Sequence, residues 1–232
     1  TRISTDKSLE ADQYALELSG ILNLYKVAGE SIEGAIISSV VPQITDTVAR
    51  ALRMFAGVEP LKLTHELPTG VGVNIDTPSE LGADLLAGAI AAKALYPLPA
   101  IVIDMGTATK ITAVDEQGTV QGVSIMPGVF ISLDALVNGT SLLKGIATNA
   151  PVRAIGKNTV ESMQSGVVFG AASMLDGMVE RFEAELGPAK TLVATGGAAG
   201  IVVPHCRHSV QYVPTLILDG LYAVYCRTHA AL

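Results

Sequence analysis

Asp104 and the small residues after it are the first candidates for chemistry. Asp104 ends the apolar run Ile101-Val102-Ile103, and Gly106, Thr107, Ala108 and Thr109 follow, before Ile111, Ala113 and Val114 resume an apolar pattern. This reads as a buried strand, a tight turn and a second strand. Such a turn suits phosphate: Gly lets the backbone approach, adjacent N–H groups can aim at one anion, and Thr hydroxyls add donors. A carboxylate at the strand end can hold a cation beside those phosphates. The same residues would also serve a plain hairpin whose Asp and Thr side chains only satisfy turn backbone. His205, Cys206 and His208 resemble a metal cluster in composition, but their spacing matches no common zinc pattern and reads as a surface turn. Gly196-Gly197 ends a strand and turns into a short helical segment.

Composition permits a large core to position these groups. Of 232 residues, 49% are hydrophobic and 16% charged, which argues against disorder. No apolar stretch has the length of a membrane span, and the polar opening TRISTDKSLEAD contains no signal-peptide core, so a cytoplasmic protein is expected. A formal charge of -7 disfavours nucleic acid or an anionic membrane as a partner. The two cysteines, Cys206 and Cys226, read as reduced thiols rather than a disulfide framework.

Along the chain, Arg2–Thr5 could end a strand. A helix is expected from Ser8–Asp12 to about Tyr25, a strand over Ala35–Val41 with two serines, and a helix carrying Ile44, Val48, Leu52 and Phe55. Leu61–Leu63 is a further strand candidate, and His65–Pro78 a loop rich in Gly and Pro. Ser79 is the expected N-cap of a helix running to about Leu95. Gly82, Ala83 and Asp84 fall in its first turns, where Gly costs roughly 0.5–1 kcal/mol relative to Ala, so a packing or ligand reason is expected. Tyr96-Pro97-Leu98-Pro99 divides the chain into halves 1–98 and 99–232. The second half predicts a three-strand meander through Ile125, a helix, a loop over Gly139–Lys157 and a long helix from Asn158 or Thr159. A strand over Thr191–Thr195, a last strand near Val210–Val213 and a closing helix from Leu216 follow. Two similar α/β halves facing a cleft would suit a nucleotide site.

GADLLAGAIAA, IVIDMGTAT, GVSIMPG, IGKNTVESMQSG and VATGG occur in one order, and as a set they resemble the type III pantothenate kinases of the actin-like ATPase superfamily. The resemblance implies an α/β fold of two ribonuclease-H-like halves, a homodimer, and phosphoryl transfer from ATP with Mg2+ to pantothenate at the start of coenzyme A synthesis. It implies that Asp84 is the general base within a motif, Gly82-Ala83-Asp84-Leu85, that contacts pantothenate, with Thr159 a further pantothenate contact. Asp104 corresponds to the aspartate that holds a monovalent cation, K+ or NH4+. Thr107 corresponds to an ATP contact, flanked by Gly106 and Thr109, and Gly196-Gly197 to an adenosine-facing turn. A carboxylate within reach of a primary alcohol can take its proton, while the phosphoryl group needs positioning and charge neutralisation.

Three features depart from the family pattern. Its opening Asp-x-Gly-Asn-Thr-Asn phosphate loop does not occur in this sequence, Leu85 stands where the family has Arg, and Lys110 and Thr112 replace the usual Thr and Asp. Leu offers none of the five donors of Arg. Lys110 could supply a positive charge in place of a bound cation. A non-catalytic binding or regulatory protein on the same scaffold, or a kinase of another small alcohol, is therefore the alternative to a pantothenate kinase.

Overall fold

A computed structural model of the chain describes residues 1, 3–140, 143, 145–147 and 153–230. Arg2 and much of the Gly139–Lys157 loop, including Pro151, lie outside the described residues, and Ile3–Thr5 carry no strand.

Helices α1 (Ala11–Leu24) and α2 (Pro42–Ala56) pack as a pair, and a small parallel pair of strands, β1 (Ile36–Ile37) and β2 (Leu61–Lys62), flanks α2 in the chain. The helices meet through Tyr14, Ala15 and Ala51, with Leu18, Val48 and Phe55 packed around them. Pro42 opens α2 at a position whose N–H needs no partner, and Gly57, at φ 68°, closes it.

The main sheet has six strands in the order β3-β6-β5-β4-β7-β8: β3 (Gly72–Val73), β4 (Ala100–Met105), β5 (Ala108–Val114), β6 (Thr119–Pro127), β7 (Thr191–Thr195) and β8 (Gln211–Tyr212). The expected meander is β4-β5-β6, antiparallel throughout, while β3, β7 and β8 join parallel to their neighbours. β3 lies inside the segment read as a loop. Two residues, one a glycine, leave no alternation for a sequence pattern to detect.

Helix α3 (Ala83–Leu95) covers one face of this sheet, packed beside α7 (Leu216–Ala230). Its residues Leu85–Ala92 are all buried, as expected for a helix apolar on every side. Small side chains make the approach possible: a Cβ on Gly220 of α7 would lie 2.0 Å from the carbonyl oxygen of Ala87. The helix starts later than expected. Pro78–Glu80 form a separate 3-10 turn, and Gly82, not Ser79, is the N-cap. β3 and α3 both precede Pro97, so the sheet and its cover draw on residues from either side of that segment.

The opposite sheet face is covered by α5 (Thr159–Leu186) and α6 (Ala199–Val202), around Ile101, Ile103, Met105, Ile111, Leu175 and Val179. Asn158 caps α5 by accepting from Glu161 N at 3.0 Å. α4 (Val129–Asn138) lies against α5. Among the described residues no helix is long and apolar enough to cross a membrane.

Candidate active site

The β4–β5 hairpin sets the site through its register. Asp104 and Lys110 stand directly opposite each other across the pair, on the face that α3 covers. Lys110 Nζ lies 3.1 Å from Asp104 Oδ2 and donates to Asp84 Oδ2, so carboxylates from a strand end and a helix start converge on one ammonium group. Asp84 Oδ1 accepts from Leu85 N at 2.9 Å. Burial alone would lower the Lys110 pKa. The hydrogen bond to Asp84 and the charge of Asp104 outweigh it and hold the group above the ordinary lysine value.

Gly82 belongs to this geometry. Its φ of -55° is open to any residue, but a Cβ there would lie 2.7 Å from Asp84 Oδ1. A side chain at this position would displace the carboxylate from where it now lies, a local reason for a residue of low helix propensity at the N-cap.

Asp84 lines a cavity of about 390 Å³ together with Thr5, Ser38, Ser39 and Thr45. A neighbouring cavity of about 310 Å³ is bounded by Ser39, His65, Glu80, Gly82 and Ala83. Thr5, Ser38, Ser39 and His65 were not foreseen as site residues. The signal was present in the pair of serines directly after the apolar dipeptide Ile36-Ile37, where a strand ends.

The Gly106-Thr107 turn joins β4 to β5, and Gly106 N donates to Ala108 O at 3.1 Å. Backbone packs closely behind it. A Cβ on Gly128 would lie 2.2 Å from Thr107 O, one on Gly196 would lie 2.5 Å from Met105 C and O, and Ala198 N donates to Met105 O at 3.2 Å. Thr109 alternates with Lys110 and so points to the other sheet face. It is buried, and its hydroxyl has no partner among the described residues.

Two expected substrate contacts have side chains that lie apart from this cluster. Leu85 is buried in the core between α3 and the sheet, where it presents no polar group. Thr159, exposed at the first turn of α5, lines a separate cavity of about 670 Å³ between α4 and α5.

His205, Cys206 and His208 point to different partners. The His205 ring packs edge-on against Phe169, and burial pushes the Cys206 thiol up to about 11. His208 Nδ1 lies 3.0 Å from Asp176 Oδ1, and Asp176 also accepts from Arg207 N at 3.0 Å and His208 N at 3.2 Å. Asp176 is a buried anchor on α5 for this turn. Its burial would raise its pKa, but the hydrogen bonds from Arg207 and His208 prevail and hold it below the usual carboxylate range. A group with a depressed folded pKa stabilises fully above its unfolded value, about 3.9, and loses that contribution as pH falls through the folded value. Asp176→Asn is therefore expected to flatten the fall of stability below about pH 4. Asp176→Ala should cost about 1–3 kcal/mol at neutral pH by stranding buried donors. Urea unfolding across pH 2–7 checks both.

Comparison with known proteins agrees with the motif order. A family model described as type III pantothenate kinase matches residues 1–181. The type III pantothenate kinase of Roseiflexus sp. (strain RS-1) is 38% identical over 224 residues, covering 97% of this chain and 88% of the relative. That of Streptomyces griseus is 41% identical over 235 residues, with 97% and 88% covered. Among solved structures, a conserved Baf family protein from Campylobacter jejuni aligns with a TM-score of 0.59 at 18% identity, covering 90% of this chain and 89% of that one. The ethanolamine utilization protein EutJ from Carboxydothermus hydrogenoformans aligns with a TM-score of 0.50 at 14% identity, over 97% and 77%. These likenesses speak for the fold alone, an α/β architecture with a mixed sheet and flanking helices. By family match and by identity over nearly its whole length, the chain belongs to the type III pantothenate kinases.

Proposed function

We propose that this chain transfers the γ-phosphoryl group of ATP to the primary hydroxyl of pantothenate, giving 4'-phosphopantothenate, the first step toward coenzyme A. The observation that carries this reading is the convergence of Asp84 and Asp104 on the ammonium of Lys110 beside a cavity lined by both hydroxyl and aliphatic side chains. Asp84 acts as the general base. A primary alcohol is a weak nucleophile, and a carboxylate that takes its proton as the P–O bond forms lowers the barrier. Leu85 N holds one oxygen of that carboxylate, and Gly82 and Ala83 line the neighbouring cavity at the helix start. The phosphates lie along the Gly106-Thr107 turn near Thr109, with Gly196 and Gly197 shaping the adenosine side. Mg2+ carried on the ATP phosphates would supply charge neutralisation for the transfer. The chain's own residues then serve to position the two reactants, which is the main need of this reaction.

Asp104 faces a cation, as the resemblance implies, but here that cation is Lys110. The exposed apolar residues Phe130, Ile131, Leu136 and Val160, around the cavity that Thr159 lines, form the homodimer contact in this reading. A second copy seated there is what could bring Thr159 against pantothenate. Residues from both halves, 1–98 and 99–232, meet at the site, since Asp84 precedes Pro97 and Asp104 and Lys110 follow it, and the enzyme works in the cytoplasm on ATP and pantothenate. Its charge of -7 suits neither nucleic acid nor an anionic membrane.

One observation favours a binding protein instead: Leu85 is buried in the core at the position where the family has Arg. The test is the formation of 4'-phosphopantothenate and ADP from MgATP and pantothenate by the purified chain. Equimolar products that depend on pantothenate are expected. Pantothenate binding without product would support the regulatory reading.

A further inference from the structure

A dissociable monovalent cation does not fit at Asp104. The carboxylate already has a cation 3.1 Å away, delivered from the adjacent strand by the hairpin register, and the same ammonium serves Asp84. The Lys110 and Asp104 side chains are 17% and 16% exposed, so little of this pair is open to solvent. A potassium ion at this carboxylate would have to share a confined space with a like charge, at a separation where repulsion is strong. Lys110 is linked to the backbone and cannot diffuse away. Its stem rises from a strand fixed on both sides, by β4 and by β6.

We infer that Lys110 is a built-in replacement for a bound monovalent cation: its ammonium bridges Asp104 and Asp84, positions the proposed base and makes the site independent of K+ or NH4+. Lys110 is thus a positioning residue that acts through both carboxylates. Two charges of one sign would otherwise repel across the site, and a single ammonium between them fixes the Asp84 side chain in one orientation.

This inference rests on the kinase reading for its catalytic part, while its binding part can be measured without turnover. The full chain, Lys110→Ala and Lys110→Thr are melted in KCl, NH4Cl and tetramethylammonium chloride at equal ionic strength. The unsubstituted chain should melt at the same temperature in all three. At least one variant should gain about 2–4 °C in KCl or NH4Cl over tetramethylammonium, because emptying the position lets the ion bind the folded state. A potassium-specific rise in the unsubstituted chain, or equal melting of both variants in every salt, overturns the inference. In the phosphorylation assay, turnover by the unsubstituted chain should vary less than about twofold among the salts. Lys110→Ala should fall about 10²-fold in tetramethylammonium and recover in part with K+ or NH4+. Strong potassium dependence of the unsubstituted chain would again overturn it. Absence of pantothenate phosphorylation in every salt would count against the kinase reading, and the melting comparison would still decide the role of Lys110.

Discussion

Asp84→Asn should lower the turnover of pantothenate about 10²–10⁴-fold with little change in KM or in melting temperature. Asn keeps the size and planarity of the carboxylate, so the helix start and the space beside Gly82 are preserved. It cannot accept the proton of the alcohol, which is the role the reaction requires of this position. The expected loss therefore falls on kcat, since a proton in transit is a feature of the transition state. Stability should change little. The Asp84 side chain is 32% exposed, and Lys110 retains Asp104 when its partner loses charge. Steady-state kinetics with matched thermal melts would check this. Turnover equal to that of the unsubstituted chain would remove Asp84 from the mechanism, and a tenfold rise in KM with unchanged kcat would reassign it to ground-state binding.

The hairpin around Asp104 was legible in the sequence. The three apolar residues before Asp104 and the alternation after Thr109 mark two strands around a short turn, and such a hairpin places Asp104 opposite Lys110 by register alone. That Lys110 could stand in for a cation followed from its type at that position. Its hold on Asp84 did not follow, because 26 residues and the packing of α3 on the sheet separate the two. Local pattern carries no information on that distance. The start of α3 was misread for a related reason. Ser79 is the better cap by propensity, but Pro78–Glu80 form their own turn and the helix begins where Gly82 leaves room for a carboxylate. β3 escaped because its pairing with β6 is a tertiary fact, unsupported by any local alternation. The serines after β1 were visible as residues but became site lining only once the cavity beside Asp84 was formed.

Gly196→Ala should be the most destabilising single-methyl addition near the site, costing about 3–5 kcal/mol and lowering the melting temperature by about 10 °C. Two effects combine. Gly196 has φ 96°, a conformation that side-chain-bearing residues rarely adopt, and forcing it costs about 1–3 kcal/mol. The added carbon would also lie within 2.5 Å of Met105 C and O and 2.7 Å of Met105 N. Those are backbone atoms of the last residue of β4, which pairs with Thr109 of β5 and accepts from Ala198 N, so they cannot rotate away as a flexible side chain would. Relief must come from moving the end of β7 away from the Gly106-Thr107 turn, which loosens the proposed phosphate site along with the fold. Gly187→Ala separates the two effects. Gly187 has φ 88° but nothing within 4 Å of its would-be Cβ, so it carries the conformational cost without the collision. If urea unfolding finds the two substitutions equally costly, contact with Met105 contributes nothing. A larger loss for Gly196→Ala, accompanied by weaker ATP binding that Gly187→Ala does not show, is the expected result.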